Sequence, residues 1–201
     1  MNENLNSKET ESLFRRFVRN AFDYLELFAY SVFAVLLIFT FGVRLCQVKG
    51  ASMENTLYDK EYLLLYSFAY KPHQDDIVVF NLPEDNPNDE KTLVKRVIAL
   101  EGQEVIIDTK TNEITVDGVL YEDTHSVLKN PDDKYSMWTF FDNFDYEEGV
   151  YKVTVPEGKV FVLGDNRNHS KDSRNPTIGF VDERCILGKV ILRVAPFTVF
   201  S

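Results

Sequence analysis

Apolar residues gather in one long run near the start of the chain and in many short runs after it. From Leu27 to Val43 the run LFAYSVFAVLLIFTFGV holds 17 residues without a charge, about 25 Å of helix at ~1.5 Å per residue. Extension back to Ala21 gives roughly 34 Å, enough for the hydrocarbon core of a bilayer, and leaves Asp23 and Glu26 in the first turns near the headgroups. A secretory h-region usually has ~7–15 apolar residues, and no side of this stretch is polar, so a cleaved signal peptide and a core helix of a soluble domain both fit it less well. Val48-Lys49-Gly50 is only a weak match to a cleavage site. The pattern predicts a transmembrane anchor over 21–43, preceded by a tail over 1–20 and followed by a domain over 44–201.

Within that domain the apolar runs are short and rich in β-branched and aromatic residues: Tyr62–Ser67, Ile77–Asn81, Thr92–Leu100, Glu104–Asp108, Glu113–Val116, Tyr151–Val155, Lys159–Val162 and Lys189–Val194. Clusters of Asp, Asn, Gly and Pro separate them, which predicts a mainly β, antiparallel fold. Val116-Asp117-Gly118-Val119 reads as a hairpin, because Asp-Gly accepts the positive φ angles of a tight reversal. Between Tyr121 and Glu148 the chain turns acidic and aromatic without alternation, so an insertion is expected at about 108–150. Its aromatic run Trp138-Thr139-Phe140-Phe141 suits either a small core or the interface of a bilayer.

Composition narrows the function. The 201 residues leave room for one domain of about 150 residues besides the anchor. A net charge of −10 with 44% hydrophobic residues argues against both disorder and a nucleic-acid partner. The only cysteines, Cys46 and Cys185, lack metal-ligand spacing, so no zinc site, disulfide scaffold or cofactor is expected. Lys8, Arg15, Arg16 and Arg19 precede the apolar run, whereas Arg44, Lys49 and Lys60 follow it. That bias predicts a single-pass protein of the cell membrane with a cytoplasmic N-terminus and residues 44–201 outside the cytosol.

Candidate chemistry begins with Ser52 and Lys95. A serine hydroxyl is a poor nucleophile until a base takes its proton, and a neutral lysine can be that base. With an ordinary pKa of ~10.4, the lysine must be lowered by roughly 3 units, about 4 kcal/mol, to serve at neutral pH. Desolvation can do this, and Lys95 lies in the apolar run Leu93-Val94-Lys95-Arg96-Val97-Ile98-Ala99-Leu100. On a strand Leu93, Lys95 and Val97 share one face and Val94 and Arg96 the other. Without further information Lys95 reads as a snorkelling surface residue and Ser52 as a turn hydroxyl.

Four ordered segments change that weight: Gly50-Ala51-Ser52-Met53-Glu54-Asn55-Thr56-Leu57; Asp76-Ile77-Val78-Val79-Phe80; Lys95-Arg96-Val97-Ile98-Ala99-Leu100-Glu101-Gly102; and Gly164-Asp165-Asn166-Arg167-Asn168-His169-Ser170-Lys171-Asp172-Ser173-Arg174. After an N-terminal anchor, they closely resemble the motif boxes of type I signal peptidases. The resemblance implies a signal-peptidase-like catalytic domain that removes signal peptides from secretory preproteins, cutting after small residues of the A-x-A type. Ser52 matches the nucleophile and Lys95 the general base, and Ser170 matches a serine that helps orient the lysine. Asp165, Arg167, Asp172 and Arg174 match charged positions with mainly structural roles. Val48, Leu57, Val79 and Val94 match positions of the shallow apolar pockets that select small side chains beside an added substrate strand. Implied partners are the preproteins, the lipid bilayer and the protein-export machinery. Ser52 follows Val43 by nine residues, within roughly 30 Å of the membrane, where a substrate's cleavage site also emerges.

Two positions depart from the pattern. Asn55 stands where the family usually has proline, so φ is not fixed beside the nucleophile. Gly50 stands where some relatives carry a hydroxyl, leaving the Ser52 N–H as the assignable oxyanion donor. The alternative reading is a catalytically weak or inactive membrane-tethered paralogue that binds signal-peptide-like segments. A histidine mechanism would have to use His73, His125 or His169, and neither Gly-x-Ser-x-Gly nor His-Glu-x-x-His occurs. Self-cleaving repressor-type proteases share the Ser–Lys idea but carry a soluble or DNA-binding N-terminus.

Overall fold

The computed structural model describes residues 3–82, 92–126, 145–194 and 197–200. Trp138, Thr139, Phe140 and Phe141, with most of the expected insertion, lie outside the described residues. The chain divides into two units, Met1–Gly42 and Val43–Ser201.

In the first unit α1 runs over Glu3–Leu37 and a π-helical turn over Ile38–Gly42. Its stretch Arg15–Leu37, 23 residues with a mean hydropathy of 1.3, is long and apolar enough to cross a membrane. None of that span is covered by protein, and Leu27, Phe28, Phe33 and Leu36 present their side chains outward. An exposed helix of this composition is suited to lipid. The helix differs from the expected 21–43 at both ends. The charged residues before Ala21 are good helix formers and extend it, whereas the β-branched and aromatic Ile38-Phe39-Thr40-Phe41, followed by Gly42, widen its last turn.

The second unit is built from antiparallel strands. In chain order these are β1 (Val43–Gln47), β2 (Tyr62–Tyr66), β3 (Ile77–Asn81), β4 (Thr92–Ala99), β5 (Glu104–Asp108), β6 (Glu113–Val116), β7 (Val119–Leu120), β8 (Asp145–Glu147), β9 (Val150–Thr154), β10 (Lys159–Leu163), β11 (Val181–Asp182), β12 (Ile186–Arg193) and β13 (Thr198–Val199). One sheet has the order β1-β2-β12-β3-β4-β10-β11 with β13 added on β12, and the other the order β7-β6-β5-β9-β8. The mainly β, antiparallel expectation holds, and each of the eight expected runs contains a strand. Asp117 and Gly118 take positive φ values of 50° and 77° between β6 and β7, as an Asp-Gly reversal should.

Three apolar clusters hold these sheets. Ile98, Val105, Ile107, Val153 and Phe161 join the second sheet to the end of β4. Val78, Phe80, Val97, Val160 and Val162 pack along β3, β4 and β10. Val48, Met53, Leu57, Leu63, Val79 and Val190 pack the chain after β1 onto the first sheet. Each such side chain contributes about 1.5–3 kcal/mol on burial. Strand β4 lies between β3 and β10, and every residue from Lys95 to Ala99 is buried. A lysine in this strand therefore sits in the interior by position alone.

Gly188 marks a register shift between β12 and β3. A Cβ there would lie 2.5 Å from the Tyr66 carbonyl oxygen, so the backbones of β2 and β12 approach too closely for any side chain. Gly188→Ala is expected to cost about 1–3 kcal/mol as the strands are forced apart. A lowered urea midpoint measures it, and an unchanged midpoint contradicts it.

Candidate active site

The segment after β1 turns back on itself before β2. Thr56 and Leu57 N–H groups donate to the Met53 carbonyl at 2.9 and 2.8 Å, and the Gly50 N–H donates to Asp59 at 2.9 Å. Met53 and Leu57 are buried and pin the turn into the core, which leaves Ser52, between exposed Ala51 and buried Met53, at the rim. The Glu54–Asn55 peptide bond is cis.

Alternation along β4 sends Lys95 and Arg96 to opposite sides. Lys95 is 1% exposed, and its Nζ lies 2.8 Å from Ser52 Oγ. The same Nζ donates to the Val94 carbonyl oxygen at 2.9 Å. None of the histidines hydrogen-bonds Ser52 among the described residues, and both His73 and His169 are exposed.

On the other side Arg96 donates through Nε and Nη2 to the two oxygens of Asp165, at 2.9 and 2.7 Å. Thr56 Oγ1 donates to the same carboxylate at 2.5 Å, so Asp165 joins the serine turn to the lysine strand. Burial works against the Arg96 charge, but the hydrogen bonds and charge of Asp165 outweigh it and hold its pKa above the ordinary value.

The segment Gly164–Arg174 closes the site from behind. Asn166 N–H donates to the Ser52 carbonyl at 3.0 Å, and Asn166 Nδ2 donates to the Ala51 carbonyl at 3.0 Å. Gly164 is indispensable for this approach: a Cβ there would lie 2.5 Å from Ser52 O and 2.1 Å from Ser170 Oγ. Asp172 accepts from Arg174 Nε and Nη2, both at 2.8 Å, and from the Gly164 N–H at 3.0 Å. Burial pushes the Asp172 carboxyl up, but Arg174 and the Gly164 N–H bring it below its ordinary value.

Ser170 is fully buried against Gly164. Its hydroxyl lies near enough to Asp172 to favour that group's charge, yet among the described residues it meets hydrogen-bond geometry with no protein group. A groove of about 550 Å³ opens beside Ser52 and Lys95, lined by Val48, Met53, Val79 and Val94 among others. Leu57 does not line it and belongs to the core beneath. A second cavity of about 610 Å³ touches Thr56 and Arg96 but neither Ser52 nor Lys95.

Sequence reasoning did not single out Thr56, Asn166, Met53 or the Val94 carbonyl. The first three do sit inside or beside the quoted motifs, but only their contacts reveal what they do.

Comparison with known proteins gives the family. Residues 21–195 match the family described as signal peptidase, peptidase S26. The chain is 34% identical to signal peptidase IB of Staphylococcus aureus, over 77% of this chain and 78% of that protein. It is also 34% identical to signal peptidase I of Bacillus caldolyticus, over 86% of this chain and 90% of the relative. A crystal structure of a signal peptidase I from Enterococcus faecalis covers 60% of this chain and 97% of its own, with 29% identity and a TM-score of 0.38. With the family match spanning most of its length, the chain belongs to the signal peptidases of the S26 peptidase family.

Proposed function

We propose that this protein is a membrane-anchored serine endopeptidase that removes signal peptides from secretory preproteins, with Ser52 as nucleophile and Lys95 as general base. The observation that carries the reading is the 2.8 Å contact between a buried lysine amine and a half-buried serine hydroxyl. Burial disfavours the ammonium form, so the amine is available to accept a proton.

In the reaction Lys95 Nζ takes the Ser52 proton as Oγ attacks the carbonyl carbon of the scissile bond. The Ser52 N–H, which has no acceptor among the described residues, faces the resulting oxyanion. Lys95 then gives its proton to the departing amine of the mature chain, leaving the signal peptide as an ester on Ser52. Water, deprotonated by the same amine, attacks the ester and frees the signal peptide as a carboxylic acid. Ser170 supports the site through its packing on Gly164, and Asp165, Arg167, Asp172 and Arg174 hold the surrounding segment.

Strand addition suits the groove. In β4 only Arg96, Val97 and Ala99 pair with β10, so among the described residues Thr92–Val94, which line the groove, have no strand on that side. Val48, Val79 and Val94 make its wall apolar and shallow, which favours small residues before the cut.

The helix Arg15–Leu37 anchors the enzyme, and Lys8, Arg15, Arg16 and Arg19, all ahead of the apolar run that starts at Leu27, support a cytoplasmic N-terminus with the protease domain outside, where preproteins leave the export machinery. Support for contact between the protease domain and lipid comes from β1, which follows Gly42 directly. Leu45, Leu64, Leu192 and Val199 form a row across β1, β2, β12 and β13, with Leu45 62% and Val199 65% exposed. An exposed apolar row of this kind suits the surface of a bilayer.

Ser52→Ala and Lys95→Ala, each checked for folding, are expected to lose at least ~10³-fold in product formation from a preprotein, and Ser170→Ala less. Full activity of Lys95→Ala contradicts the assigned base, and binding without a shortened product in the unaltered chain supports an inactive paralogue. Val94→Ala deepens the groove, so cleavage after valine relative to alanine should rise about tenfold, measured as a ratio of kcat/KM values. An unchanged ratio removes Val94 from the specificity wall.

A further inference from the structure

Together with Arg96 of β4, the segment behind Ser52 buries three guanidinium groups, Arg96, Arg167 and Arg174, against two carboxylates of its own, Asp165 and Asp172. Asp165 is held by both arms of Arg96, and Asp172 by both arms of Arg174. The third guanidinium, Arg167, is 2% exposed and pairs with neither of these carboxylates. Its Nε donates to the Gly164 carbonyl at 3.0 Å, and its own carbonyl accepts from Arg174 Nη2 at 2.9 Å. Arg167 thus holds the residue on which both Ser52 O and Ser170 Oγ pack. A buried cation in such a place needs a counter-charge.

That charge comes from outside the motif. Asp123 Oδ2 lies 2.5 Å from Arg167 Nη1. Among the described residues neither Nη1 nor Nη2 meets hydrogen-bond geometry with a protein group, so the opposite charge of Asp123 is what compensates the guanidinium. Asp123 arrives on the stretch that leaves β7 and crosses toward the first sheet. Tyr121, two residues earlier, donates from its N–H to Ile114 in the second sheet and from its hydroxyl to Asp75. Asp75 in turn accepts from Arg96 Nη1 through its carbonyl. The stretch is therefore docked at two points on the back of the catalytic strand and loop.

We propose that Asp123 is a positioning residue for signal-peptide cleavage: it neutralises Arg167 and so keeps Gly164, and with it the backbone of Ser52, in register with Lys95. The proposal rests on the Ser52–Lys95 reading of the site. Asp123 does not line the groove beside Ser52 and Lys95, so the effect falls on turnover and not on binding.

The full chain in detergent, assayed with a preprotein, tests this. Asp123→Asn should lower kcat by about 10- to 100-fold with KM unchanged, and Asp123→Glu should recover part of the loss. Removing the stranded cation as well, in Asp123→Asn/Arg167→Met, should give a faster enzyme than the product of the two single losses allows. Wild-type kcat in Asp123→Asn, a loss confined to KM, or strictly additive losses overturn the proposal. Should Asp123→Asn fail to fold, a folded double variant supports it, and a double variant that also fails makes Asp123 a purely structural residue and overturns it. Ser52→Ala assayed alongside separates the two readings: product from that chain contradicts the nucleophile, whereas Asp123 is judged on the ratio of its variants to wild type.

Discussion

A lysine amine 1% exposed, held 2.8 Å from a serine oxygen, is the contact on which the rest of this protein depends. Burying an ammonium group is unfavourable, and lowering a lysine to neutrality at neutral pH takes about 4 kcal/mol. Strand β4 is enclosed between β3 and β10, with Val78, Val97 and Val162 around it, so Lys95 is shut off from bulk water. The Val94 carbonyl gives the amine a second partner and fixes its direction.

The opposite side of the same strand does a different job. Arg96 reaches Asp165, and Thr56 donates to Asp165, so the residue next to Lys95 ties down the turn that carries Ser52. Asn166 holds that turn by its backbone, and Gly164 lets the two segments touch. Three stretches distant in sequence are thereby locked around one hydroxyl. Their interior is ionic, which makes charge balance a condition of their geometry: Asp165 and Asp172 each face a guanidinium, and Asp123 completes the set from the stretch after β7.

Much of this was legible in the sequence, for identifiable reasons. Strand alternation and turn chemistry gave the longer strands and the Asp117-Gly118 reversal, because those signals are local. The short strands β7, β11 and β13, two residues each, carry too little pattern to be read. Ser52 and Lys95 were found through ordered motifs, while alternation alone separated Lys95 from Arg96. The Val94 carbonyl could not be found that way, since a backbone acceptor has no side-chain signal. Asp123 was equally hidden: it lies in an acidic stretch where one carboxylate looks like another until the chain folds Arg167 against it. Leu57, read as a pocket position, lies in the core beneath the groove because the turn after Met53 points it inward.

The most direct measurement is an NMR titration of the lysine side-chain nitrogens in the full chain, with Lys95 assigned by its loss in a Lys95→Met variant. A buried general base should lose its proton well below the exposed lysines, near or under neutral pH, and its signal should respond to Ser52→Ala. A Lys95 signal that titrates together with the exposed lysines, near ~10.4, contradicts a base made available by burial.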